Sequence, residues 1–213
     1  MKILKAELTD LIEYSGFQDV FTLARDEEKV ISNYEFINFN LSDYKAEYIE
    51  INNCSFNHCK FINCNITKAN FSNVIFNECD MSNINLFRSG LSKSEFNRCK
   101  LLGADFSEAT LNNVLFSECN CSYINLGYAS IKSTIFDRDD LSNGSINNCK
   151  TKNIEFNNSD LSHTDLSNTI LKGIDLSSDN ITCFKAVGYE LRGAKISMLQ
   201  AVELAKFLGV IIK

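Results

Sequence analysis

Cysteine and histidine side chains cluster in one short stretch of the chain. Residues 54–64 read CSFNHCKFINC, which places Cys54, Cys59 and Cys64 five residues apart with His58 among them. Thiolates and imidazoles are preferred ligands of zinc, so this spacing raises a metal site or a redox centre as possibilities. Which one applies depends on whether the five-residue step belongs to the cysteines or to the whole chain.

A five-residue period runs through most of the sequence. Every fifth residue from Phe36 to Ile196 gives 33 positions, of which Thr151 alone is polar. Because the chain is 45% apolar, chance would make about 15 of these positions apolar. Neither an α-helix nor a plain strand has this period. Small or apolar residues also lie two positions before many of these centres, so each pentad places two side chains inward and three outward.

A second period of 20 residues lies on top of the first. Four pentads per coil and like residues stacked between coils predict a solenoid, with backbone hydrogen bonds running from coil to coil. At a strand spacing of about 4.8 Å, about eight coils would make a rod of roughly 38 Å. The ladders that define the coil are Phe36, Phe56, Phe76, Phe96, Phe116, Phe136 and Phe156, and Cys59, Cys79, Cys99 and Cys119.

Several pentads carry a recognisable pattern. The stretches ADFSE, TDLSN, SDLSH and ANFSN resemble the pentapeptide repeat family, whose pattern is (A/C/N)-(D/N)-(L/F)-x-x. The resemblance implies an all-β solenoid, a right-handed quadrilateral parallel β-helix, over residues 34–198. Residues 1–33 break the period and are expected to cap the first coil. Residues 199–213 are expected to form a C-terminal capping and dimerisation helix with a short strand.

The period answers the question about the cysteines. Cys54, Cys59 and Cys64 fall on three different sides of the coil, whereas zinc needs its sulfur ligands to converge on one point. We therefore interpret them as small buried hydrophobic residues. His58 points outward, and His163 lies about five coils away. We predict no catalytic residue, no metal ligand and no cofactor, and hence a protein that is not an enzyme.

The C-terminal segment has a narrower resemblance. Ser197 and Gln200 form a capping-box pattern before a run of helix-forming residues. The segment ELRGAKISMLQAVELAKFLGVIIK looks like the C-terminal segment of the Qnr and MfpA proteins, which bind DNA gyrase and topoisomerase IV as DNA mimics and alter fluoroquinolone sensitivity. By that resemblance the segment forms a homodimer contact, through Leu199, Val202, Leu204, Phe207, Leu208, Val210 and Ile212. The pentads lack the two loops that interrupt many Qnr proteins.

Charge is distributed unevenly over the four sides of the predicted rod. We call them side 1 (residues 34–38), side 2 (39–43), side 3 (44–48) and side 4 (49–53), each with the residues 20, 40 and further on. Sides 1 and 2 each carry a net charge of −4, side 3 carries none, and side 4 carries +4. The acidic sides predict a partner surface made of Glu78, Asp80, Glu95, Glu118, Asp137, Asp140, Glu155 and Asp160.

Two further features of sides 1 and 2 bear on that surface. Outward apolar residues collect on side 1 at Ile75, Leu115 and Ile135, which can mark a contact surface. On side 2, Asp139 and Asp179 stand at inward positions. A buried unpaired carboxylate is costly, so either the wall bulges there or each carboxylate caps backbone amides.

Two functions remain open at this stage. The first is a DNA-mimicking protein that binds DNA gyrase or topoisomerase IV, and the alternative is a generic repeat scaffold for another protein partner. A net charge of −6 argues against nucleic acid as the partner. No apolar run approaches the roughly 20 residues of a membrane span. Nine cysteines, without a signal-peptide core, indicate a reducing, cytoplasmic location.

Overall fold

A computed structural model describes residues 2–14, 20–186 and 188–207, and within α2 it does not describe the side chains of Glu203, Lys206 and Phe207. The elements in chain order are β1 (Ile12–Glu13), α1 (Val20–Glu27), β2 (Ile31–Ser32), β3 (Tyr34–Ile37), β4 (Lys45–Glu47), β5 (Glu50–Asn57), β6 (Asn65–Thr67), β7 (Asn70–Asn77), β8 (Gly90–Asn97), β9 (Thr110–Ser117), β10 (Ser130–Asp137), β11 (Lys150–Asn157) and α2 (Met198–Phe207).

The strands form a parallel solenoid with the predicted 20-residue register. In the main sheet, Phe56 pairs with Phe76, Phe76 with Phe96 and Phe96 with Phe116. Strands β5 and β7–β11 run along side 4 and continue into side 1. Isolated parallel bridges extend the same register as far as Asp175 and Lys195. The fold class predicted from the sequence is therefore confirmed.

Each corner of the coil is a single residue in the left-handed conformation. From Asn38 to Asn168, the non-glycine residues at these corners have φ between 48 and 63°. Asparagine tolerates this region better than most residues, and it is the commonest residue at these corners. Gly103 takes one corner with φ of 66°. A turn made of one left-handed residue explains how a chain without proline can turn so often.

The core is a stack of aromatic rings. From Phe36 to Phe136 the successive ring centroids are 4.7 to 5.0 Å apart, and the rings lie within 10° of parallel. The last pair, Phe136 and Phe156, is 5.3 Å apart. Offset-stacked rings contribute stabilisation beyond the area that they bury. The 20-residue spacing of phenylalanine thus fixes the register of every coil on the next.

Residues before the first coil make two kinds of contact with the rod. Helix α1 covers the open end of the coil, where Phe21 packs on Phe36 and Phe39 with centroid distances of 5.8 and 5.6 Å. Residues 2–9, which we call the arm, instead run along the outside of side 1. Their backbone is bonded to side chains as far apart as Asn53 and Asn113. The sequence of this region predicts a cap, and the arm is an additional feature of the structure.

Helix α2 closes the other end and begins as predicted. The Ser197 N–H donates to Gln200 Oε1 at 2.7 Å, and the Gln200 N–H donates to Ser197 Oγ at 3.3 Å. Gln200 Nε2 also donates to the carbonyls of Leu176 and Asp179, both at 2.7 Å. One glutamine therefore both caps the helix and fastens it to the last coil. No helix among the described residues is long and apolar enough to cross a membrane.

Candidate functional site

The clustered cysteines have a structural position in the wall. Each sulfur of the ladder donates to the backbone carbonyl 23 residues earlier, with distances of 3.4, 3.3, 3.4 and 3.3 Å for Cys59, Cys79, Cys99 and Cys119. The Ser159 hydroxyl and the Thr164 hydroxyl make the same bond at 3.3 and 2.9 Å. Cysteine, serine and threonine at this position therefore share a structural role, which is to donate a hydrogen bond to this carbonyl.

Three of the buried thiols in this wall are poor nucleophiles. Burial raises the pKa of Cys54, Cys64 and Cys149 to about 11. These three cysteines therefore stay protonated at neutral pH, and they react poorly because thiolate is the reactive form. Cys183 is exposed, whereas the other eight cysteines are buried. Among the described residues, no three side chains of His, Cys, Asp or Glu are placed to hold a metal ion.

The two inward aspartates cap backbone amides, which is one of the two arrangements that the sequence left open. Asp139 Oδ1 accepts the N–H of Cys119 at 2.7 Å, and Asp179 Oδ1 accepts the N–H of Ser159 at 2.8 Å. The second oxygen of each carboxyl is buried without a hydrogen-bond partner. Burial raises the pKa of Asp139 to about 8 and that of Asp179 to about 6. Both had been counted in the −4 of side 2, whose exposed charge is therefore smaller.

Four of the predicted partner-binding acids are ion-paired within the chain, of which Asp80 lies 3.5 Å from Lys100 on side 2 and three lie nearer side 1. Along the corner between sides 1 and 2, Arg98 lies 2.7 Å from Glu78, while Arg138 lies 2.9 Å from both Glu118 and Asp137. The Arg98 guanidinium holds the pKa of Glu78 below its usual value. His58 Nδ1 also lies 3.4 Å from Glu78. Exposed pairs of this kind add little to stability because water and salt screen them, but they lower the free negative charge of side 1.

Three acids, Asp80 among them, have a local structural task on side 2. In Asp80, Asp140 and Asp160, Oδ1 accepts the backbone N–H two residues later, at 3.1, 2.9 and 2.8 Å. Asn120 holds the equivalent position in the same ladder and accepts the Ser122 N–H at 3.2 Å. An uncharged amide can therefore replace the carboxylate in this turn.

The last two predicted acids differ in exposure. Glu155 is half-buried on side 1. Glu95 is 8% exposed and accepts the N–H of Ala6 in the arm at 3.1 Å. Glu95 therefore points outward as assigned from the sequence, but the arm covers it and it is not exposed as a partner surface would require. Ile75, Leu115 and Ile135 of the apolar strip are likewise half-buried.

The predicted dimer residues fall into three groups. Leu199 and Val202 are 82% and 42% exposed on α2, as is Met198 at 87%. Leu204 instead packs against the core of its own chain. The side chain of Phe207 and the whole of Leu208, Val210 and Ile212 lie outside the described residues, as does the expected final strand.

Comparison with known proteins agrees with this geometry. A pentapeptide repeat region is matched by residues 89–166, and pentapeptide repeats (8 copies) by residues 54–92. Together these matches cover more than half of the chain. The protein belongs to the pentapeptide repeat family. No curated protein matches it significantly.

Two solved structures illustrate the likeness. HetL, a pentapeptide repeat protein involved in heterocyst differentiation regulation from the cyanobacterium Nostoc sp. strain PCC 7120, is 16% identical with a TM-score of 0.48, covering 86% of this chain and 94% of HetL. Trypsin-treated QnrB1, a plasmid-mediated fluoroquinolone resistance protein, is 23% identical with a TM-score of 0.47, covering 87% of this chain and 92% of that one. At TM-scores below 0.5, neither likeness bears on function.

One set of contact residues could not be recognised from the sequence. The corner asparagines Asn53, Asn73 and Asn113 hold the backbone of the arm. The regular spacing of these asparagines is visible in the sequence, but many other asparagines at corners of the coil have the same spacing and do not contact the arm. The arm itself carries no pentad and gives no signal of where it binds.

Proposed function

We propose that this chain is a non-enzymatic, dimeric binding protein that engages DNA gyrase or topoisomerase IV in the manner of Qnr and MfpA proteins. The observation that carries the proposal is the bare apolar surface of α2, formed by Met198, Leu199 and Val202. It lies within the segment that resembles the dimer contact of those proteins. A protein helix rarely leaves such a surface open to water, so a second copy is a suitable cover.

Dimerisation would double the length of the acidic sides. A rod of roughly 38 Å becomes one of roughly 80 Å, long enough to lie in a groove made for duplex DNA. The charges available for this are Asp80, Asp140 and Asp160, which lie in one ladder on side 2 with Lys100 and Asn120 between Asp80 and Asp140. Lys100 lies 3.5 Å from Asp80, so Asp140 and Asp160 carry the adjacent negative charges. The pairs along the corner leave side 1 less acidic than its composition indicates.

The dimer is tested first, by replacing Leu199 and Val202 together with aspartate. Both side chains are exposed in the single chain, so the fold should remain while the dimer dissociates because buried charges at the interface are unfavourable. Sedimentation equilibrium gives the mass. Ile170→Asp is the matched control, since Ile170 is 50% exposed on side 4. A double variant that remains a dimer would contradict the α2 interface.

Gyrase engagement is tested by supercoiling assays with and without a fluoroquinolone. Restored supercoiling in drug, or inhibition without it, supports the proposal. A variant with Asp80, Asp140 and Asp160 changed to asparagine should lose the effect, because it removes three charges and keeps the amide-capping oxygens. The control changes Asp105 and Asp165 on side 3, which cap Ser107 and Ser167 in the same way at 2.9 and 3.0 Å.

A second candidate is a scaffold for a different protein, and the covered surface of side 1 favours it. No effect on supercoiling at concentrations well above that of the enzyme would leave this candidate in place. The repeat fold supports a binding role in both cases, because its long sides display side chains on a rigid frame.

A further inference from the structure

The arm is held mainly through its backbone. Asn73 accepts the N–H of Glu7 at 2.7 Å and donates to the carbonyl of the same residue at 2.8 Å. Asn53 makes the same two bonds with Thr9, at 3.2 and 2.7 Å. Paired contacts to alternate residues are how a strand edge holds an added strand. Here side-chain amides replace the strand edge, so the contact does not depend on which side chains the arm carries.

The side-chain amides that hold the arm are also hydrogen-bonded to one another along the rod. Asn53 Nδ2 donates to Asn33 Oδ1 at 2.7 Å, and Asn73 Nδ2 donates to Asn53 Oδ1 at 3.0 Å. Farther along the rod, Asn113 Oδ1 accepts the N–H of Leu4 at 3.0 Å. The receiving surface therefore spans several coils, and the bonds that link Asn33, Asn53 and Asn73 do not involve the arm, which lowers the entropic cost of binding.

Ile3 is the one fully buried side chain of the arm, and Ala6 and Leu8 are half-buried. Ile3 is 8% exposed, whereas the adjacent Leu4 is 58% exposed. Beside Ile3 lies an open groove of about 720 Å³, whose walls include Leu115 and Ile135 of the strip. The arm thus covers the strip without filling it, and a larger or longer segment has room to bury more apolar surface.

Charge favours a basic occupant. Lys2 and Lys5 of the arm, together with Glu7, line the same groove as Asp137, which also pairs with Arg138. Glu95 accepts a backbone N–H of the arm. Side 1 has a net charge of −4 before the arm is counted. A peptide with lysines flanking aliphatic residues therefore matches this surface in charge as well as in shape.

We infer that side 1 is a binding site for an extended, lysine-containing peptide segment of a partner protein, and that the arm is an internal occupant which the partner displaces. The arm is suited to displacement because one buried side chain and a few backbone bonds hold it. The inference is independent of the topoisomerase assay, since it concerns a different side of the rod and another kind of ligand.

The test uses the full-length chain and a fluorescent peptide of the sequence KILKAELT. Ile3→Asp should release the arm, because it places a charge in the apolar strip. Fluorescence anisotropy should then show at least about tenfold tighter peptide binding than in the wild type, since the competing occupant has been removed. Leu4→Asp is the matched control, and its exposed side chain should leave peptide binding at the wild-type level.

Hydrogen exchange and a second substitution complete the design. Amide exchange of Leu4, Ala6, Glu7 and Thr9 should accelerate in Ile3→Asp and remain slow in Leu4→Asp. In the Ile3→Asp background, adding Asn73→Ala should abolish peptide binding. Adding Asn83→Ala instead should not, since Asn83 is a left-handed corner residue bonded to Asn63 at 3.1 Å, and melting temperatures should match between the two.

Three results would overturn the inference. Equal peptide binding by the wild type and by Ile3→Asp would show that the arm does not compete for the site. Unchanged exchange in Ile3→Asp would show that the arm is a fixed part of the fold. Peptide binding that survives Asn73→Ala would place the peptide elsewhere.

Discussion

Replacing Asp139 with asparagine should stabilise the protein at neutral pH. The Asp139 carboxyl is 2% exposed, and one of its oxygens has no hydrogen-bond partner. Asparagine keeps the oxygen that accepts the Cys119 N–H and carries no charge at any pH. The substitution thus removes the cost of ionising a buried group and leaves the wall of the coil in place.

The size of the effect follows from the pKa shift. The pKa of Asp139 rises from 3.8 to about 8 on folding, so the folded state binds the proton more tightly than the unfolded state. The stability of the wild type therefore falls as pH rises between these two values and is constant above the upper one. Each pKa unit corresponds to about 1.4 kcal/mol, which gives an advantage of about 4 kcal/mol to Asp139→Asn at pH 7.

Guanidinium denaturation followed by far-ultraviolet circular dichroism measures this difference, because the chain has no tryptophan. Both proteins should unfold with nearly equal free energies below pH 4, and the gap should widen up to about pH 8. Contributions of other groups cancel in the comparison. Asp140→Asn is the control, since its half-exposed carboxyl also caps an amide. If the two proteins have the same free energy of unfolding at pH 7, or if their difference is equal at pH 4 and pH 7, the reasoning is refuted.

Three further results are expected. Phe96→Ala should lower the free energy of unfolding by about 3–5 kcal/mol, because it opens a cavity in the middle of the aromatic stack; a loss below 1 kcal/mol in denaturation would contradict that role for the stack. A thiol reagent should modify Cys183 rapidly and the buried cysteines only after unfolding, as counted by mass spectrometry, and several fast thiols would contradict the buried wall. Gln200→Ala should speed amide exchange in α2, since two bonds to the last coil are lost at about 1 kcal/mol each; exchange as slow as in the wild type would mean that other contacts hold the helix.

The fold was predictable because its signal is repeated. The inward positions from Phe36 to Ile196 report one geometry many times, so a single exception such as Thr151 does not obscure the pattern. The capping box at Ser197 and Gln200 was also readable, since it depends on neighbours in sequence. The bonds that hold α2 to the rod could not be predicted, because Gln200 donates them to the backbone carbonyls of Leu176 and Asp179 and any residue has such a carbonyl.

The positions of the acidic side chains could be predicted from the sequence, but whether they are free to contact a partner could not. The 20-residue register places Arg98 over Glu78 and Arg138 over Glu118, so these ion pairs could have been read from the sequence by comparing neighbouring coils. The cover over Glu95 could not, since the arm lacks the period and is recognised through its backbone. Composition therefore gave the charge of each side correctly and overstated how much of it is available to a partner.

The arm also imposes a length on a fold that otherwise has none. A solenoid of identical coils can gain or lose one coil, and each such change in the gene shifts the two ends by a single strand spacing without disturbing either cap. Between Asn53 and Asn113 a coil cannot be gained or lost in this way. The arm has a fixed number of residues, and an added or missing coil would move its hydrogen-bonding partners out of reach. The arm thus fixes the number of coils that it spans. Variation in the number of coils over evolution should therefore concentrate in the part of the rod that the arm does not reach.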